Sequence, residues 1–224
     1  MDGTKPLPFS PFRLILAAML GLAAPAAAET VTFGAAPPDA RPEAFEPALT
    51  GKGRPGRWAI VEDATAADGK ALAQLDDDRT DYRFPLAIYR AGAFRDVEVA
   101  VRFKPVSGKV DQAGGVAVRL ADPNNYYVAR ANALEDNVRF YRVVNGRREQ
   151  LAGADTKVSG NAWHTLTLCA EGDRFTVSYD GKPIFTAADR TFAQAGKVAL
   201  WTKADSATHF DRVEITPLRP AGKP

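Results

Sequence analysis

From Trp58 onward the chain is written in short runs of alternating apolar and polar residues, broken by Gly, Asp, Asn and Pro. Asp96 to Lys104 is the clearest. There Val97, Val99, Val101 and Phe103 fall on one side of an extended chain, and Asp96, Glu98, Arg102 and Lys104 on the other. Successive side chains of a strand point to opposite faces, so this pattern predicts a strand with one buried and one wet face. Comparable runs lie at 58–61, 71–75, 84–89, 115–120, 126–131, 138–143, 163–170, 174–179, 197–202 and 209–215, about eleven strands in all. Asn145-Gly146 and Asp180-Gly181 supply the positive φ values of type I′ hairpin turns. No amphipathic helix is legible, and 186–194 offers a turn or two at most. Many short strands without helical crossovers predict an all-β, antiparallel, two-sheet sandwich or barrel.

The N-terminal stretch breaks this pattern. Lys5 and Arg13 precede the apolar run 14–24, and Ala26-Ala27-Ala28 closes it, which is the layout of a secretory signal cleaved after Ala28. The run is short for a membrane span, and no later stretch approaches the required length. The expected organisation is a signal peptide over 1–28, an irregular Pro- and Ala-rich leader over 29–55 with an edge strand near Val31 to Phe33, a sandwich over 56–218 and a flexible tail over 219–224. The mature chain is then exported, to a periplasm or the medium, without an integral membrane segment.

Charge and cysteine content narrow the partners. Removing Lys5, Arg13 and Asp2 with the signal leaves basic and acidic residues nearly balanced. Such a chain has no long-range field to gather polyanions, which argues against nucleic acid as a partner. Cys169 is the only cysteine and sits between Leu168 and Ala170 in a strand, so it is expected to be a buried, inert thiol. It cannot close an intramolecular disulfide, and stability has to come from burial.

The segment Gly114-Gly115-Val116-Ala117-Val118-Arg119-Leu120, followed by Asp122-Pro123-Asn124-Asn125-Tyr126-Tyr127-Val128-Ala129-Arg130-Ala131-Asn132, resembles a group of bacterial exported proteins. Lys197 to Lys203 and Phe210 to Ile215 resemble the closing strands of the same group. Their domain is laminin-G-like, within the concanavalin A-like lectin and glucanase superfamily, and relatives carry family 16 glycoside hydrolase or keto-disaccharide hydrolase labels. The resemblance spans roughly Trp58 to Thr216 and implies a jelly-roll sandwich. It leaves the activity open, because this fold hosts many functions.

Catalytic chemistry finds no complete motif. Family 16 enzymes carry Glu-x-Asp-x-x-Glu on one strand; here Asp96-Val97-Glu98 is followed by Val101 where the second glutamate should stand. There is no Gly-x-Ser-x-Gly elbow, only His164 and His209 are available as imidazole bases, and these with one cysteine make a zinc site improbable. His164 is expected at a sheet surface. Asp76-Asp77-Asp78 with Asp81 leaves calcium open, although a charged turn is the simpler reading; no other cofactor is indicated. Asp211 alternates with Val213 and Ile215 and is expected to be a buried turn anchor.

Strand parity singles out one surface. With Val116, Val118, Leu120, Val138 and Phe140 in the core, Arg119, Arg139 and Tyr141 point outward, joined by Arg130 and Asn132 of the intervening strand, by Asn137, and by Trp201. Guanidinium forks, amides and aromatic rings together suit a sugar's hydroxyl pairs and apolar ring face. The expected function is therefore an exported carbohydrate-binding domain with a saccharide ligand on this face. Two alternatives stand beside it, a glycoside hydrolase or lyase acting on a sugar derivative and a structural or protein-interaction domain. A solvated sheet face with Glu135 and Asp136 pairing the arginines would explain the same residues. N-terminal sequencing of exported protein should begin at Glu29, and finding Met1 intact there would exclude the signal peptide.

Overall fold

The computed structural model describes residues 1–3 and 27–219. The apolar run of the expected signal and most of the C-terminal tail lie outside the described residues. Among the described residues, fifteen strands form two antiparallel sheets. The eight-stranded sheet has the order β13 (Lys182–Ala188), β12 (Arg174–Tyr179), β11 (His164–Glu171), β6 (Val97–Ser107), β15 (Ala207–Pro217), β4 (Lys70–Gln74) and β3 (Trp58–Glu62), with β1 (Glu29–Thr32) also on β15. The seven-stranded sheet has the order β10 (Arg147–Asp155), β9 (Asn137–Val144), β8 (Asn125–Asn132), β7 (Ala113–Asp122), β14 (Lys197–Thr202), β5 (Arg83–Tyr89) and β2 (Phe45–Gly51). No described helix is long and apolar enough to cross a membrane.

The alternation read from the sequence fills the space between the sheets. Val97, Val99, Val101 and Phe103 of β6 meet Val116, Val118, Val138 and Phe140 from the facing sheet in one buried cluster. Tyr127, Phe140 and Phe175 pack within it at ring-centroid distances of 4.4 to 5.8 Å. Both expected type I′ turns are present, with φ of 49° and 75° at Asn145 and Gly146, and 47° and 76° at Asp180 and Gly181.

Several expectations change. The stretch 29–55 is not an irregular leader: β1 and β2 lie within it and pair with β15 and β5. Its prolines mask the alternation, and the charged, glycine-containing β10 and short β13 also escaped notice because neither carries a continuous apolar face. Cys169 is only half buried, since Leu168 and Ala170 take the inward positions and turn it to the far side beside Glu98. Its thiol nonetheless stays protonated more readily than usual, because partial burial and the nearby carboxylates push its pKa up. His164 is not a surface group: it stacks on Tyr179 at 5.2 Å and both ring nitrogens have partners, Asp180 at 2.9 Å and the Ser159 carbonyl at 3.0 Å.

Asp211 is buried, but against the outside of its sheet. It sits at a register shift of β15 and accepts the Ala67 amide at 2.8 Å together with Arg102. Asp96 is likewise buried, whereas Glu98 is exposed and Val101 is core, so the partial glycosidase motif remains an ordinary strand.

Two buried arginines join the sheets at the strand ends. Arg83, at the start of β5, donates to the carbonyls of Arg54 (2.7 Å), Pro55 (3.2 Å) and Ala204, and to Asp76 (2.8 Å). The acidic run is consumed in the same place: Arg54 pairs with Asp76 and Asp77, its amide reaches Asp78 at 2.7 Å, and Lys203 takes Asp81 at 2.7 Å. Among the described residues no cluster of three or more His, Cys, Asp or Glu side chains is arranged to hold a metal.

Candidate functional site

The face of the seven-stranded sheet turned away from the other sheet carries its own apolar cluster, formed by Phe84, Leu86, Ala117, Tyr126, Val128, Tyr141, Val143 and Trp201 among others. Trp201 lies stacked on Phe84 at 5.3 Å. It is fully buried, so it forms a floor rather than the exposed platform expected of it.

Beside that floor the register places Arg130 of β8 between Gly115 of β7 and Arg139 of β9, and Asn132 opposite Asn137. Gly115 is required by this approach, since a Cβ there would stand 3.0 Å from the Arg130 Cβ and 2.6 Å from the Ala129 carbonyl oxygen. Arg130, 5% exposed, donates to the Asn137 side-chain oxygen, to Glu135 at 2.8 Å and to the Tyr141 hydroxyl at 3.2 Å. Asn137 donates in turn to Glu135 at 3.1 Å. Asn132 donates to Asp111 at 2.7 Å, and Lys203 bridges Asp111 (2.8 Å) and Asp81 (2.7 Å). Arg139 crosses Gly153 of β10 to reach Asp155 at 2.6 Å. The Arg148 guanidinium of β10 lies over the Tyr141 ring at 4.3 Å and the Phe84 ring at 4.8 Å.

The charges are tuned by this packing. Burial raises the Asp111 pKa despite Lys203. Partial burial works against the Glu135 carboxylate, but Arg130 and Asn137 outweigh it and hold its pKa below the usual range. Lys203 is kept charged because Asp111 and Asp81 more than offset its desolvation.

Of the seven expected residues, Arg130, Asn132, Asn137, Arg139, Tyr141 and Trp201 share this face. Arg119 does not. A positive φ of 48° at Arg119 and a register shift after Val118 reverse the parity, so Leu120 takes the outward side. Arg119 instead points to the sandwich end, donating to the carbonyls of Arg95 (2.8 Å), Phe192 (3.0 Å) and Gly172, with its guanidinium over Phe175 at 5.1 Å. A bulge is invisible to a period-two reading. Glu135 pairs with Arg130, as the solvated-face explanation required, but Asp136 pairs with Lys157. Asp111, Arg148 and Lys203 were missed, and Asp81 was singled out only as part of an acidic run open to calcium. They lie on loops or on the charged edge strand, where parity gives no direction.

The family described as galactocerebrosidase, C-terminal lectin domain, matches residues 96–218, more than half the chain. The chain belongs to this family. The lectin-domain match runs from the start of β6 to the end of β15 and so includes Asp111, Arg130, Asn132, Glu135, Asn137, Tyr141 and Lys203. A levanase of Bacillus subtilis (strain 168) is 33% identical over 73 residues, a third of this chain and 11% of the levanase; the chain thus spans about a tenth of that protein. Among solved structures, the carbohydrate binding module CBM66 from Bacillus subtilis superposes with a TM-score of 0.60 at 24% identity, covering 75% of this chain and 94% of the module. A Bacillus licheniformis β-glucanase gives 0.56 at 13% identity, over 86% of this chain and 99% of the glucanase. The fold is the expected concanavalin A-like jelly-roll sandwich.

Arg119→Ala should destabilise the domain by roughly 3 kcal/mol, because it takes the donor from the part-buried carbonyls of Arg95, Phe192 and Gly172 and leaves Asp96 with the Gly172 amide but no counter-charge. Denaturant unfolding measures this, and a loss below about 1 kcal/mol would rule out the clamp.

Proposed function

We propose that this chain is an exported lectin-type domain that binds a saccharide on the outer face of the seven-stranded sheet, at the cluster Arg130, Glu135, Asn137 and Tyr141. The observation that carries the reading is that planar donors and acceptors, locked in position by one another, adjoin an aromatic floor in a member of a lectin-domain family. Mutual locking lowers the entropy cost of meeting a ligand's hydroxyls, and the carboxylate and amide can accept and donate to neighbouring hydroxyls at once. The likeness to a carbohydrate binding module supports the same reading through the fold. The secretory-type pattern of residues 1–28 supports export of the mature chain to a periplasm or the medium.

A glycan array probed with the mature chain, followed by calorimetric titration of the best glycan, tests this. Arg130→Gln should weaken binding about 10- to 100-fold, equivalent to the roughly 1.5–3 kcal/mol of a charge-assisted hydrogen bond. It should also lower the thermal midpoint, since Glu135 and Asn137 lose their partner. Full affinity in a destabilised Arg130→Gln protein would make the cluster scaffolding and move the site elsewhere.

A further inference from the structure

The hairpin that joins β9 to β10 borders a cavity of about 660 Å³. Its lining includes Arg142, Arg147, Arg148, Thr191 and a single acid, Glu149. Glu149 is already taken by Arg142, at 2.9 Å, and Arg142 also holds Asp189 at 2.8 Å. Arg147 is exposed, and neither it nor Arg148 forms an ion pair with a described residue. Arg148 reaches from this cavity onto the aromatic floor, where its Nη1 is buried without a hydrogen-bond partner. A guanidinium nitrogen withdrawn from water and left unpaired favours an incoming acceptor, and an anion above all.

The other cations of the face have no such need. Arg130 is matched by Glu135, Arg139 by Asp155, and Lys203 by Asp111 and Asp81. Among these cations of the face, only those at the hairpin end lack an ion-pair partner in contact, and Asp81, held by Lys203, acts on Arg148 only through space.

We infer that the β9–β10 cavity is an acid-recognising subsite, in which Arg148 takes the carboxylate or sulfate ester of an acidic saccharide, while Arg147, on the opposite face of the hairpin, only adds to the local positive potential. The inference rests on the saccharide-binding reading of the adjoining cluster and adds the ligand's charge and its orientation. A planar fork presents two parallel N–H groups to two oxygens of the acid group, and Tyr141 and Phe84 hold that fork in place from beneath.

The test is calorimetric titration of the mature chain with three probes of matched length: oligogalacturonate, its fully methyl-esterified form, and a sulfated galactan oligosaccharide. At least one acidic probe should bind about ten-fold or more tightly than the neutral ester, and the advantage should shrink as salt is raised. Which acidic probe wins identifies carboxylate or sulfate as the source. Arg148→Gln should collapse the acid-to-neutral affinity ratio toward one. Arg147→Gln, an exposed change with little reach into the fold, should reduce the ratio about two- to five-fold. If the neutral ester binds as tightly as both acids, or if both variants keep the full acid preference, the subsite is refuted while saccharide binding stands. If the parent binds none of the three probes and no glycan on the array, both readings fall together.

Discussion

A guanidinium removed from water must find an acceptor for its donors, and in this sandwich that demand is met at the strand ends. Arg83 and Arg119 both spring from the seven-stranded sheet, and both spend their donors largely on carbonyls of connecting loops. Each thereby fixes the loops that return to the opposite sheet, with Asp76 and Asp96 supplying the counter-charge. Hydrophobic contact alone would let two sheets slide, being non-directional. The arginines add direction, and the single cysteine supplies no cross-link to do so in their place.

That constraint bears on the candidate site. Arg83 holds the 54–55 and 76 segments near Ala204, and the same neighbourhood delivers Asp81 and Lys203 to the edge of the aromatic floor. Lys203 in turn positions Asp111, which receives Asn132. The polar cluster on the open face is thus continuous with the scaffolding at one end of the sandwich. Removing a member is expected to disturb both shape and recognition, which is why stability and binding have to be measured side by side.

Much of this was legible from residue order. Strict alternation in β6, β8 and β9 assigns inward and outward positions correctly, and it brings Arg130, Asn132, Asn137, Arg139 and Tyr141 to one face. The reading failed where a local event broke the period: the bulge at Arg119 moved that side chain to the interior end. It also failed where burial depended on neighbours distant in sequence. Nothing in the apolar alternation of β14 says that Trp201 will be roofed by Arg148 from β10, and nothing in the loop at 108–112 says that Asp111 will meet Asn132 and Lys203. The resemblance to concanavalin A-like domains supplied the jelly-roll arrangement, which periodicity left undivided from a barrel.

Among the described residues the two sheets present five edge strands, β13, β3 and β1 on one and β10 and β2 on the other, each a row of unpaired backbone groups that invites another chain. Each edge is blunted, β1 by its length of only four residues. Proline interrupts β2 at Pro47 and β13 at Pro183, leaving a gap in the row of amides. β10 is bent by a register shift near Leu151 and bristles with Arg147, Arg148, Glu149 and Asp155. The short β3 is capped by the preceding chain, where the Asp39 amide and the Ala40 carbonyl pair with Ile60. The proline-rich stretch before β3 is thus a guard against strand addition as well as a connection. A domain sealed in this way can be crowded onto a polysaccharide surface, or strung beside copies of itself, without zipping into aggregates, and contact with the outside world is left to its faces.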